Sequence, residues 1–172
     1  MEPHPDHTLG HLQDISNELV DFFDYLIEIY DSEELSLLYK ELRLALASKD
    51  FDGFFARLNS ILASVSYAIS KQKEGHLHSN IHVILKMLGF DIQSEETTNL
   101  GRIDAVIRFT NIVYIFEFKN GKAKEALAQI EEKKYYEKFI LDNKEIIGVG
   151  VGFGEKGIKK FEVKPFVTIQ PL

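Results

Sequence analysis

From about residue 8 to residue 70 no proline interrupts the chain, and apolar side chains recur at helical spacing. Leu12, Ile15, Leu19, Phe22, Leu26 and Ile29 mark a first amphipathic helix. Leu35, Leu38, Leu42 and Leu46 mark a second, with Ser32 placed as its N-cap and Glu33-Glu34 as an acidic first turn. Phe51, Phe54, Phe55, Leu58, Leu62, Val65 and Ile69 mark a third. Residues 74–89 continue the pattern with Leu77, Ile81, Ile84, Leu85 and Leu88 on one side, and Gly89 stops the helix.

The period then shortens. Phe90 to Glu95 supplies a first strand, and Glu96 to Leu100 a polar connection. Ile103–Phe109 (IDAVIRF) and Ile112–Phe118 (IVYIFEF) are β-branched and aromatic runs separated only by Thr110-Asn111, which predicts a hairpin with Phe109 facing Ile112. Asn120-Gly121 is a turn signal, and a helix is expected from about Lys122 to Leu141, with Ala123, Ala126, Leu127 and Ile130 inward. Glu145–Phe153 (EIIGVGVGF) reads as a buried strand. Its Gly148, Gly150 and Gly152 leave one side bare, so that a helix can approach closely. The last strand, Lys160–Ile169, is pushed toward a sheet edge by Pro165. The order gives an α/β protein, divided into a helical region over 1–72 and an α/β domain over 73–172.

Hydrophobic content of 45% and charged content of 27% describe an ordinary globular protein. The absence of cysteine excludes disulfides, thiolate zinc sites and cysteine nucleophiles, and fits a cytoplasmic location. No apolar run approaches the roughly 20 residues of a membrane span. The net charge of −7 argues against strong unaided attraction to phosphate backbones. That acidity belongs to the first section: residues 1–72 hold thirteen acidic and five basic side chains, residues 73–172 fourteen and fifteen.

The hairpin carries the candidate chemistry. In the expected register Asp104 falls opposite Glu117, with Cβ atoms roughly 5 Å apart on one face. Lys119 lies two residues further along the same face. Facing carboxylates repel each other, and a bound Mg²⁺ or Mn²⁺ relieves the repulsion because hard cations take carboxylate oxygens. The bland alternative is a surface hairpin with a Glu/Lys pair. His78 and His82 have the i,i+4 spacing of a transition-metal pair, yet no HExxH motif accompanies them.

Gly101-Arg102-Ile103-Asp104 followed by Glu117-Phe118-Lys119 resembles the motif of the PD-(D/E)XK nuclease superfamily. The resemblance implies a restriction-endonuclease-like core: a mixed central sheet flanked by helices, here preceded by an α-helical N-terminal section. It also implies Asp104 and Glu117 as metal ligands, Lys119 as the catalytic lysine and the Phe118 carbonyl as a further ligand. Glu74 occupies the place of a helix glutamate that joins the metal shell, or is simply a glutamate favoured at a helix N-terminus. Gln129 matches a helix glutamine that binds either the attacking water or a substrate phosphate, the alternative being an exposed helix residue. His78 is a candidate substrate contact, and Arg102 contacts phosphate or pairs with a nearby carboxylate. Leu44-Ala45-Leu46, Asp50-Phe51, Ser66-Tyr67, Glu74 to His78 and Ala126 to Ile130 are similar to a bacterial family that joins an AAA-like ATPase domain to such a nuclease. No GxxxxGK[ST] motif is present, so the chain is expected to be a stand-alone member or a carboxy-terminal piece.

The expectation is a Mg²⁺- or Mn²⁺-dependent nuclease, with DNA favoured over RNA, an ATPase domain or subunit as a candidate partner, and homodimerisation left open. The alternative is a catalytically inactive nuclease fold that docks a protein partner through its acidic helices.

Overall fold

The structure is a computed structural model that describes residue 24 and residues 26–69, 76–154 and 157–169, with backbone alone for 65–69, 76–80 and 87. Most of the first expected helix and Glu74 lie outside these residues. Helix α1 spans Ser32–Ala47, and its cap is Asp31 rather than Ser32. Asp31 Oδ1 accepts from the Glu34 N–H (2.8 Å), and Glu34 Oε2 accepts from the Asp31 N–H (3.0 Å), a reciprocal capping box. Helices α2 (Phe51–Ile69) and α3 (His76–Met87) follow, and Gly89 after α3 takes φ 98°, the left-handed stop its residue type allows.

Strands β1 (Ile92–Thr97), β2 (Arg102–Arg108), β3 (Ile112–Asn120), β4 (Glu145–Gly154) and β5 (Gly157–Val167) form a single sheet in sequence order. Only the β3–β4 pair is parallel, and its crossover carries helix α4 (Ala123–Glu132) and a 3-10 helix (Tyr135–Asp142). β5 is an edge strand, as Pro165 requires.

Two apolar layers sandwich the sheet. On one face Leu42, Leu46, Phe54, Phe55, Leu58, Ile81 and Ile84 of α1–α3 pack with Ile92, Ile107, Tyr114, Phe116, Val149 and Val151. The buried Tyr114 hydroxyl donates to the carbonyl of Leu46 in the last turn of α1 and ties that helix to β3. On the other face Ile130 of α4 joins Tyr135 and Phe139 over Ile103, Val106, Val113 and Ile115.

The helix expected over residues 122–141 is broken. α4 ends at Glu132, Lys134 adopts φ 49°, and the chain resumes as the 3-10 helix. A continuous α-helix would set Tyr135 roughly 140° around the axis from Ile130. The left-handed step returns Tyr135 and Phe139 to the sheet.

The bare side of β4 works as its sequence implies. A Cβ on Gly150 would lie 2.3 Å from the Ala123 carbonyl oxygen and 2.5 Å from the Leu127 nitrogen. One on Gly152 would meet the main chain of Gly121, Lys122 and Ala123 at about 3.1 to 3.2 Å. α4 therefore rests on β4 backbone to backbone.

Candidate active site

Thr110-Asn111 places the hairpin in the expected register, pairing Arg108 with Val113, Ile107 with Tyr114, Val106 with Ile115 and Ala105 with Phe116. Beyond Ala105 the strands stop exchanging main-chain bonds. The Asp104 N–H donates to Glu117 Oε1 (3.0 Å), and the Phe118 N–H donates to Asp104 Oδ2 (3.0 Å). Side-chain carboxylates thus replace the ladder where β2 leaves β3. β1 is distorted at the same level: Glu95 takes φ 56° between the pairs Ser94–Ala105 and Glu96–Ile103. The kink lies opposite Asp104.

Glu117 is 2% exposed, the one charged residue in the buried set among the described residues. Burial, and then the neighbouring Asp104 charge, push its carboxyl up to about 8 against the pull of Lys119. Asp104 and Lys119 are half-buried on the same side. Lys119 pairs with Gly152 and Glu117 with Gly150, so no β4 side chain covers either of them.

Helix α4 brings Gln129 to this spot, with Nε2 3.3 Å from Glu117 Oε2 and 3.4 Å from the Tyr135 hydroxyl. Phe118 turns its ring to the α1–α3 side, stacked on Phe116 and Phe153, which leaves its main chain beside the carboxylates. Exposed Arg102 pairs with Glu95 at 3.6 Å, the local-carboxylate alternative of its two readings. His78 lies in α3, but its side chain is outside the description.

Glu96, the residue after the Glu95 kink opposite Asp104, is a useful contrast. Burial works to raise its pKa, but bonds from Arg108 (2.7 and 2.9 Å) and Lys138 (2.9 Å) outweigh that and hold it below the ordinary carboxylate range. Lys138 is therefore engaged with β1 rather than simply solvated. A carboxylate paired with cations, such as Glu96, is structural; Glu117 faces another acid and is bonded by the Asp104 N–H and the Gln129 amide instead.

That difference bears on metal binding. Among the described residues no group of three or more His, Cys, Asp or Glu side chains converges on a point. The convergent donors are the two carboxylates of Asp104 and Glu117, hard oxygen ligands whose mutual repulsion a divalent cation offsets. A site with two carboxylates and open positions left for water suits Mg²⁺.

Sequence reasoning did not single out Glu95 or Tyr135 as neighbours of the site. Tyr135 sits 2% exposed beside Gln129. Its signal was the spacing Ile130–Tyr135–Phe139, which a regular α-helix cannot bring to one face. Tyr136 stacks on Phe166 (4.7 Å, 7°) and packs as an ordinary aromatic.

A family model described as the PD-(D/E)XK nuclease superfamily matches residues 72–162. An uncharacterised protein in the vnfD 5′ region of Azotobacter chroococcum mcd 1 is 31% identical over 116 residues, covering 63% of this chain and 22% of that protein. The chain thus spans less than a quarter of that relative's length. No solved structure matches significantly. The five-stranded mixed sheet with helices on both faces is the core such a match requires, and the chain belongs to the PD-(D/E)XK nuclease superfamily.

Proposed function

We propose that this protein is a divalent-metal-dependent nuclease that hydrolyses phosphodiester bonds of DNA. The observation that carries the reading is the exchange at the open end of the hairpin, where Asp104 and Glu117 replace ladder bonds and face each other beside Lys119. A structural hairpin has no use for that repulsive pair. Asp104, Glu117 and the Phe118 carbonyl would hold Mg²⁺ or Mn²⁺, with Glu74 as a further candidate ligand.

Bound there, the ion supplies an acidified water and offsets charge on the phosphoryl oxygens. The protein's own groups do the rest. Asp104 and Glu117 are fixed by main-chain N–H donors and cannot swing away. Lys119 orients the water or neutralises the pentacoordinate phosphate. Gln129 reaches the same place from α4. Arg102 can release Glu95 for a phosphate, because an exposed pair at 3.6 Å is weak. His78 is a candidate substrate contact.

The chain's charge of −7 limits unaided binding to nucleic acid and supports help from a partner. The relative's much greater length leaves room for one in the same polypeptide, and an ATPase domain or subunit is the reading the sequence resemblance supports. Among the described residues no helix is long and apolar enough to cross a membrane. The cysteine-free composition supports a cytoplasmic setting.

The test is cleavage of single-stranded, linear duplex and supercoiled DNA, and of RNA, with Mg²⁺ or Mn²⁺, beside Glu117→Ala and Lys119→Ala. Metal-dependent cutting lost in both variants is expected. Neither cutting nor a metal-induced rise in Tm for the wild type would leave the interaction-module alternative standing.

A further inference from the structure

Three elements meet on one amide behind Glu117. Gln129 Nε2 has two hydrogens, and its two contacts, to Glu117 Oε2 at 3.3 Å and to the Tyr135 hydroxyl oxygen at 3.4 Å, use both. The carbonyl oxygen is what the amide has left, and it can only accept. A phosphate oxygen in a diester has no proton to give it; an attacking water has two. The contacts therefore separate the two roles open to Gln129 from sequence.

Two backbone features deliver the Tyr135 hydroxyl. One is the left-handed Lys134, which ends the turn after α4. The other is Gly101, at the entrance to β2. A Cβ there would stand 2.8 Å from the Tyr135 hydroxyl oxygen, yet 3.5 and 3.6 Å from the nearest ring carbons. The ring would tolerate alanine at 101; the hydroxyl would not. Being 2% exposed, Tyr135 is not a substrate contact.

We infer that Tyr135 is a positioning residue, whose hydroxyl fixes the Gln129 amide with its nitrogen on Glu117 and its carbonyl free to accept from the attacking water. This rests on the nuclease reading. The assignment distinguishes water from phosphate in a measurable way, since loss of a phosphate contact raises KM and loss of water alignment lowers kcat.

The experiment compares wild type with Tyr135→Phe, Gly101→Ala, the double variant and Tyr136→Phe. Cleavage kinetics are read beside the Mn²⁺ concentration that gives half of the thermal shift. Tyr135→Phe should lower kcat about three- to tenfold, the range of one hydrogen bond, with KM unchanged. It should also raise the half-saturating Mn²⁺ concentration by up to about tenfold, as loss of a supporting residue behind a ligand does. Tyr136→Phe should move neither. Gly101→Ala should lower kcat at least as far as Tyr135→Phe, and the double variant should recover to the Tyr135→Phe level, because the crowding atom is gone. Wild-type kinetics in Tyr135→Phe, a raised KM in place of a lowered kcat, or a double variant no better than Gly101→Ala would each overturn the inference while the nuclease stands. A wild type that neither cuts nor responds to Mn²⁺ would overturn both.

Discussion

The β2–β3 hairpin has two ends made of the same strands and governed by different bonding. At the closed end, four residue pairs from Arg108–Val113 to Ala105–Phe116 form an ordinary ladder, buried but for Arg108 and filled with apolar side chains. At the open end, one step further, N–H groups are satisfied by the carboxylates of Asp104 and Glu117. A ladder uses main-chain acceptors and leaves side chains to pack. Here the side chains do the ladder's work and set two acids side by side where charge is costly. Apolar packing concentrates at one end and acidic groups at the other.

The largest expected effect breaks the open end. Asp104→Asn should abolish metal-dependent cleavage while far-UV circular dichroism keeps its native form; retained cutting would remove Asp104 from the site. Next is Lys119→Ala, expected to lower kcat by about 10²–10⁴-fold, the usual span for a proton-handling group, in single-turnover assays. The closed end should respond in the opposite sense. Ile107→Ala, at a fully buried position, should cost about 2–5 kcal/mol in urea unfolding and leave cleavage per folded molecule unchanged.

A subtler effect comes from acidity. Glu117 holds its proton up to about pH 8 when folded and releases it near 4.5 when unfolded. Between those values the folded state binds the extra proton, so metal-free stability falls as pH rises from about 5 to 8. Glu117→Gln should flatten that slope, raise Tm at neutral pH in EDTA and abolish cutting. An unchanged slope in this variant would assign the pH dependence elsewhere. The smallest effect is Arg102→Ala, whose exposed pair with Glu95 supports under about 1 kcal/mol in thermal unfolding.

What could be read from sequence follows the same division. The closed end was legible because two residues between two β-branched runs leave one sensible register, and that register alone places Asp104 against Glu117. The glycine alternation in β4 was legible because a missing side chain on one face says something must come close. The helix break at Lys134 was not, since lysine carries no left-handed signal and the charged run Glu131 to Lys134 looks helical. Nor was Glu95, whose φ of 56° is imposed by the strand's bend and not by its own preference. Asp31 took the cap from Ser32 because Glu34 could reciprocate. The site's outline was local in sequence; its supports come from tertiary packing.

The bare strip of β4 sets how this protein can change over time. Most tight contacts in a protein can be relieved by a second substitution that shrinks a neighbour. Gly150 faces the Ala123 carbonyl and the Leu127 nitrogen, and Gly152 faces only main chain. Backbone atoms are common to every amino acid, so no exchange of a neighbouring residue makes room. A lineage that lost Gly150 would have to lift α4, and with it Gln129, away from Glu117. Loss of Gly152 would ask the main chain to give by only a few tenths of an ångström. Position 150 is thus closed to compensation in a way that positions 104 and 117 are not.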